Sequence, residues 1–77
     1  MSDLMGYEST AMPPHQQRVI NEKRELDDRA MKLSDFIGLN ATFATLDAAE
    51  QERMKEQCKI MWEYSEILGK RIAAFPV

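Results

Sequence analysis

Mostly apolar residues recur with a helical period in the C-terminal part of the chain, over residues 47–75. They recur at alternating spacings of four and three residues: Met54, Cys58, Met61, Ser65, Leu68, Ile72 and Phe75. A mean period of about 3.5 residues places them along one face, the seam on which two helices pack side by side. Asp47, with Glu50 three residues later, is typical of a helix N-terminus. We therefore predict a helix over residues 47–74.

A similar pattern predicts an earlier helix over residues 14–37. Its seam positions are Val19, Leu26, Ala30, Leu33 and Ile37. Pro14 suits the first turn of a helix, and Gly38 is placed to end it as a left-handed C-cap residue. Glu22 and Lys23 stand where an apolar seam residue is expected. The first helix is therefore predicted to have a weaker seam than the second.

Two long helices joined by a connection over residues 38–46 predict an all-α fold, an antiparallel helical hairpin. Phe43 and Leu46 are too apolar for a free loop, so we expect the connection to tuck under the helix pair as one short helical turn. Residues 13–77 then form a single domain, and residues 1–12 form a flexible N-terminal arm.

The two helices carry more apolar surface than a hairpin can bury. The surplus residues are Met31, Trp62, Tyr64 and Phe75. A chain of 77 residues is close to the size at which a single core is marginal. We therefore predict a homo-oligomer, in which copies of the chain cover these surfaces.

Composition and motifs argue against several functional classes. A net charge of −3 leaves no basic excess to neutralise a phosphate backbone, which argues against DNA binding. No apolar run is long enough to span a membrane and no signal peptide is evident, so we expect a cytoplasmic protein without membrane contact. One cysteine, Cys58, and one histidine, His15, cannot build a disulfide or a zinc site. No catalytic triad or phosphate-binding loop occurs, so we expect no enzymatic activity, no cofactor and no metal.

Isolated cations near the predicted helix ends are the remaining candidates for binding. They are Arg18, Arg29, Lys32, Lys70 and Arg71. Each is surface charge by default, but a symmetric oligomer repeats each one around an axis, so a few copies can surround one compact anion. Gly69 lowers helix stability and is predicted to mark a place where another backbone or a ligand comes close.

Two segments carry a resemblance to a known family: they read PHQQRVINEKRELDDRAMKLSDFIG (residues 14–38) and YSEILGKRIAAF (residues 64–75). They resemble small phage proteins that counter CBASS, a bacterial defence system signalling through cyclic oligonucleotides. The likeness implies a sponge, which binds and sequesters cyclic dinucleotides such as cGAMP, and cyclic trinucleotides, without cleaving them. The CBASS effector in the infected bacterial cell is then not activated. The likeness also implies a homohexamer with intertwined helices.

The resemblance implies a cyclic dinucleotide pocket between subunits. In such a pocket an aromatic side chain near the start of the first helix stacks on a base, and a basic residue farther along meets the phosphates. The aromatic position falls at or near His15, with Tyr7 as a substitute from the arm and Arg18 close by. The basic position falls at Arg29 or Lys32, and the sequence leaves this choice open.

A separate cyclic trinucleotide pocket, nearer the threefold axis, is also implied by the resemblance. It uses a hydroxyl residue of the first helix and an arginine late in the second. Ser34 and Arg71 match these positions, with Lys70 beside Arg71. A histidine at the aromatic position of the dinucleotide pocket would weaken stacking there and alter base preference.

The main alternative function is a coiled-coil-like adaptor. It would bind a host or phage protein through the Met-rich and aromatic-rich helical face. A small DNA-binding regulator is a third possibility, which the acidic composition disfavours.

Overall fold

The computed structural model describes residues 12–76, which fold into three helices. Helix α1 runs over Pro14–Leu39, α2 over Ala41–Thr45 and α3 over Ala48–Ala73. The long helices α1 and α3 pack side by side and run antiparallel, with α2 at the turn between them. The prediction of an all-helical chain built on a long helix pair is confirmed. The predicted N-terminal arm, including Tyr7, lies outside the described residues apart from Met12.

Proline geometry sets the start of α1. Pro13 is extended, with φ −62° and ψ 149°, and Pro14 occupies the first turn, where its missing N–H removes no helical hydrogen bond. The Pro13 carbonyl accepts from the backbone N–H groups of Gln16 and Gln17 at 3.0 and 3.1 Å. The chain therefore enters the helix where the proline pair indicated.

The end of α1 differs from the prediction. Gly38 does not adopt a positive φ, and the helix continues through Leu39. Asn40 ends it, with φ −97° and ψ 124°, while its side-chain oxygen accepts from the Thr42 N–H at 2.8 Å and opens α2. The prediction of a left-handed cap at Gly38 was wrong because Asn40 ends one helix and begins the next in an extended conformation.

The connection packs under the hairpin, as the sequence indicated. Phe43 of α2 is 8% exposed, and its ring meets Phe36 edge-to-face at a centroid distance of 6.1 Å. The Gln51 side chain donates to the Leu46 carbonyl at 2.9 Å, which ties the connection to the first turn of α3. Asp47 caps α3 by accepting from the Ala49 N–H at 3.0 Å.

A small core holds α1 and α3 together. Val19, Leu26 and Leu68 form its buried centre, and partly buried side chains pack around them: Met61, Ile72 and Phe75. Phe75 was predicted to be surplus apolar surface, but it closes this core instead. The predicted seam of α3 is buried or partly buried at every position, so the heptad pattern identified the contact face correctly.

Much apolar surface stays outside this core. The large apolar side chains that remain exposed are Met31, Leu39, Ile60, Trp62, Tyr64 and Ile67. Four of them belong to α3, where Ile60, Tyr64 and Ile67 flank the seam on one side and Trp62 on the other. The hairpin, with extents of 57 × 26 × 14 Å, is one layer of helices, and within residues 12–76 no second layer covers these side chains.

Candidate functional site

Candidate ligand-binding residues gather at one end of the hairpin, where the start of α1 meets the end of α3. His15 and Arg18 lie in the first turns of α1, and Lys70 and Arg71 lie in the last turn of α3. All four side chains are exposed. Cations are favoured at a helix C-terminus, where the backbone carbonyls carry partial negative charge. This end of the hairpin therefore carries three basic residues, Arg18, Lys70 and Arg71.

A second group lies in the half of α1 nearer the connection. Arg29 and Lys32 are exposed, and Ser34 is partly buried. The Lys32 ammonium contacts Asp28 at 3.0 Å, but the two side chains are 76% and 63% exposed, so this ion pair adds little and is easily exchanged for another anion. Arg29 forms no salt bridge within residues 12–76. The choice between Arg29 and Lys32 therefore still depends on a ligand-binding measurement.

An open concavity of about 370 Å³ lies beside Lys32 at the end of α1. It is lined by Lys32, Asp35, Phe36, Leu39 and Asn40. The sequence pattern singled out only Lys32 among these residues. The i, i+4 spacing of Lys32 and Phe36, with Leu39 three residues farther on, was the signal that could have found the rest, because such spacings share a helix face. A cation beside an aromatic ring suits a nucleotide, although Asp35 opposes an anion.

The candidate residues of each implied pocket are far apart within one chain. A rise of 1.5 Å per residue puts His15 and Lys32 about 25 Å apart along α1. The hydrogen bonds between α1 and α3 align Asp27 with Ser65, so Ser34 lies level with Cys58 and about 20 Å along the axis from Arg71. Neither pair can contact one compact ligand from the same chain.

A polar network crosses the seam at the point where the sequence pattern is interrupted. The Lys23 ammonium donates to Asp27 at 2.8 Å and to the Ser65 hydroxyl at 2.9 Å, and Ser65 donates to Asp27 in turn. The bonds from Lys23 and then from Ser65 lower the pKa of the Asp27 carboxyl. Beside them, the Tyr64 hydroxyl donates to Glu22. The residues that weaken the apolar seam thus form polar contacts between the helices.

Gly69 lies against the Lys23 side chain. A Cβ added at Gly69 would lie 3.4 Å from the Lys23 Cε atom, at the limit of ordinary contact. The glycine was predicted to mark the approach of a backbone or a ligand. Within the hairpin, the group that approaches it is a lysine stem.

Replacing Gly69 by alanine is expected to stabilise the protein by about 0.5–1 kcal/mol, because alanine is the better helix former. The flexible end of Lys23 can move by the small amount required. Thermal unfolding at equal protein concentration measures the change. Gly38→Ala is the matched control, since a Cβ there meets nothing within 4 Å. A lower melting temperature for Gly69→Ala alone would contradict this and indicate that something less yielding than Lys23 lies against Gly69.

Two further properties of the described residues bear on function. Among residues 12–76, no group of three or more His, Cys, Asp or Glu side chains is arranged to hold a metal ion. In the same range, none of the helices combines the length and the apolar character needed to cross a membrane.

Comparison with known proteins identifies the family. No curated protein and no solved structure matches the chain. The family model described as Sequestin matches residues 13–74, which is most of the chain and contains both long helices. The matched range contains residues 14–38 and all but the last residue of 64–75, the two segments that resemble a sponge family, and the name denotes a sequestering protein. The chain belongs to the Sequestin family.

Proposed function

We propose that this protein is a sponge for cyclic oligonucleotides, which it binds and sequesters without cleaving them. It acts in the cytoplasm of an infected bacterial cell and keeps cyclic dinucleotides such as cGAMP, and cyclic trinucleotides, from activating a CBASS effector. The family match over residues 13–74 carries the sequestering part of this proposal. The choice of ligand follows from the resemblance of the two sequence segments to the anti-CBASS proteins.

The exposed cations support an anionic ligand. Arg18, Arg29, Lys70 and Arg71 form no salt bridge within the part of the chain that the structure describes. They are spread over both ends of the hairpin, although the chain as a whole is acidic. Charge-assisted hydrogen bonds from a few such groups can hold a compact phosphate diester without general affinity for nucleic acid.

Each pocket is then shared between copies of the chain. The axial separation of His15 from Lys32, and of Ser34 from Arg71, exceeds the reach of one small ligand. Residues from different subunits must therefore complete each pocket, and the uncovered apolar face of α3 provides surface for the required assembly. We propose a homohexamer, as the resemblance implies.

A thermal-shift screen against cyclic di- and trinucleotides, with linear dinucleotides as controls, tests the proposal. A ligand that binds only the folded protein stabilises it by RT ln(1 + [L]/Kd), about 2.7 kcal/mol at a hundredfold excess over Kd. We expect the melting temperature to rise by several degrees with cyclic species and to stay constant with linear ones. No rise at ligand concentrations far above micromolar would reject the sponge.

Subunit mixing tests the shared pockets. Oligomers are reassembled from two inactive variants, His15→Ala and Lys32→Ala, in one solution. Shared pockets predict that part of the dinucleotide binding returns, because some pockets receive His15 from one copy and Lys32 from another. Pockets built within one chain predict no recovery.

An adaptor function has one observation in its favour. Ile60, Tyr64 and Ile67 are 51%, 43% and 55% exposed on one flank of α3, and an amphipathic helix of a host or phage protein can pack on such a face. Trp62, 38% exposed, lies on the opposite flank. An adaptor would leave this face uncovered in the isolated protein and would show no nucleotide effect in the thermal-shift screen. A sponge would cover it with other copies.

A further inference from the structure

We propose that Lys23, Asp27 and Ser65 fix the axial register of α1 against α3. They select one alignment of the hairpin from several that the apolar seam alone would permit. Their contribution is to structural uniqueness more than to stability.

The apolar seam by itself allows more than one alignment. Its positions recur every seven residues on both helices, so sliding α1 along α3 by one heptad again sets apolar residues against apolar residues. In the observed alignment Lys23 faces Ser65 and Gly69. A slide of one heptad would place it opposite Cys58 and Trp62 in one direction, or Ile72 and Pro76 in the other. Neither pair offers a hydroxyl and a glycine together.

The buried hydroxyl penalises such slides. Ser65 is 4% exposed and both accepts from Lys23 and donates to Asp27. Lys23 and Asp27 move together because they are four residues apart on α1, so they keep their own ion pair in any register. Sliding by one heptad would set Gln16 and Ile20, or Ala30 and Ser34, opposite Ser65. The hydroxyl would then exchange two hydrogen bonds with charged groups for at most one with a neutral group, which is the weaker kind.

Space gives a second and independent constraint. The Lys23 stem passes the position that a side chain at residue 69 would occupy, with Cε at 3.4 Å from it. In a slid register, the same place would be taken by the ring of Trp62 or of Pro76. Only the observed alignment brings a residue without a side chain under the lysine.

The same geometry explains why the network adds little stability. Side chains of the Lys23–Asp27 pair are 31% and 37% exposed, so water screens their attraction. Replacing polar groups in a helix interface by apolar ones is often neutral or stabilising, and their established use is to specify register.

The test compares the native protein with the double variant Lys23→Met, Ser65→Ala by ¹H–¹⁵N NMR. The chain has one tryptophan, so each register contributes one Trp62 indole signal. Exchange between registers is slow because the helices must separate to realign. We expect one signal from the native protein, and at least one further signal from the variant at about a tenth of the main intensity or more. The variant should melt no lower than the native protein.

Lys59→Met is the matched control, because Lys59 pairs with Glu63 on the exposed side of α3. It should retain one signal. One signal from the double variant, at any melting temperature, would overturn the proposal. If the double variant does not fold, Lys23→Met alone makes the same comparison: a second, weaker signal supports the proposal, and a single signal overturns it.

Discussion

Replacing Leu68 by alanine is expected to lower the free energy of unfolding by about 2–5 kcal/mol. Leu68 is fully buried at the centre of the contact between α1 and α3. The loss combines the transfer energy of the removed carbons with the cavity left behind, and this core has few other buried side chains to collapse into that cavity. For a domain of this size, the change is large enough to unfold the hairpin near room temperature.

Leu39→Ala is the matched control, since Leu39 is 83% exposed and the substitution is chemically the same. We expect it to change stability by no more than about 0.5 kcal/mol. Urea unfolding at one fixed protein concentration is the suitable measurement, because self-association adds to the apparent stability. Equal effects of the two substitutions would contradict this prediction. They would show that Leu39, although exposed in the single chain, is covered in solution.

Lys32→Ala and Arg71→Ala are expected to remove binding of different ligands. If the proposed pockets are separate, Lys32→Ala weakens cyclic dinucleotide binding and Arg71→Ala weakens cyclic trinucleotide binding, each by about 10–100-fold. This range corresponds to about 1.5–3 kcal/mol for a hydrogen bond to a charged group. Isothermal titration calorimetry of each variant with both ligand classes measures how much affinity is lost for each ligand. The variant Arg29→Ala shows whether Arg29 or Lys32 meets the phosphates.

Lys59→Ala provides the control for this comparison, because it removes one positive charge from an exposed side chain that is not a candidate residue of either pocket. If each substitution acted only through the loss of one positive charge, it would weaken the binding of both ligands equally in every variant. Equal losses in Lys32→Ala, Arg71→Ala and Lys59→Ala would therefore reject the assignment of two pockets.

The long helices were predictable because each is specified several times over. Pro14 and Asp47 mark their starts, and heptad spacing marks the face that each one buries. The end of α1 was not predictable from Gly38 alone. Glycine permits a left-handed cap but does not require it, and the Asn40 side chain provided another way to end the helix.

The polar network was missed because a single polar residue on a seam resembles an interruption when its helix is read alone. The opposite helix held the missing information. Ser65 and Gly69 are small residues four apart on the facing seam, and together they accommodate the Lys23 ammonium and its stem. Comparing the two seams position by position would have suggested this pairing.

The candidate binding residues could be listed from the sequence but not assembled into pockets. Cations such as Arg71 and Lys32 were identified by their place near helix ends and by resemblance. Which of them meet at one ligand depends on the arrangement of several copies, and a pattern along one chain carries no direct record of that arrangement. Their assignment to pockets stays a prediction.

The thin, extended shape of the hairpin affects how its assembly should be measured. Its radius of gyration is 17.9 Å, whereas a compact globule of this length would have a radius of about 11–12 Å. An isolated hairpin would thus leave a gel-filtration column early, with an apparent mass well above its true value, and could be taken for a small oligomer. Light scattering or sedimentation equilibrium, which report mass independently of shape, would distinguish a lone chain from a compact assembly.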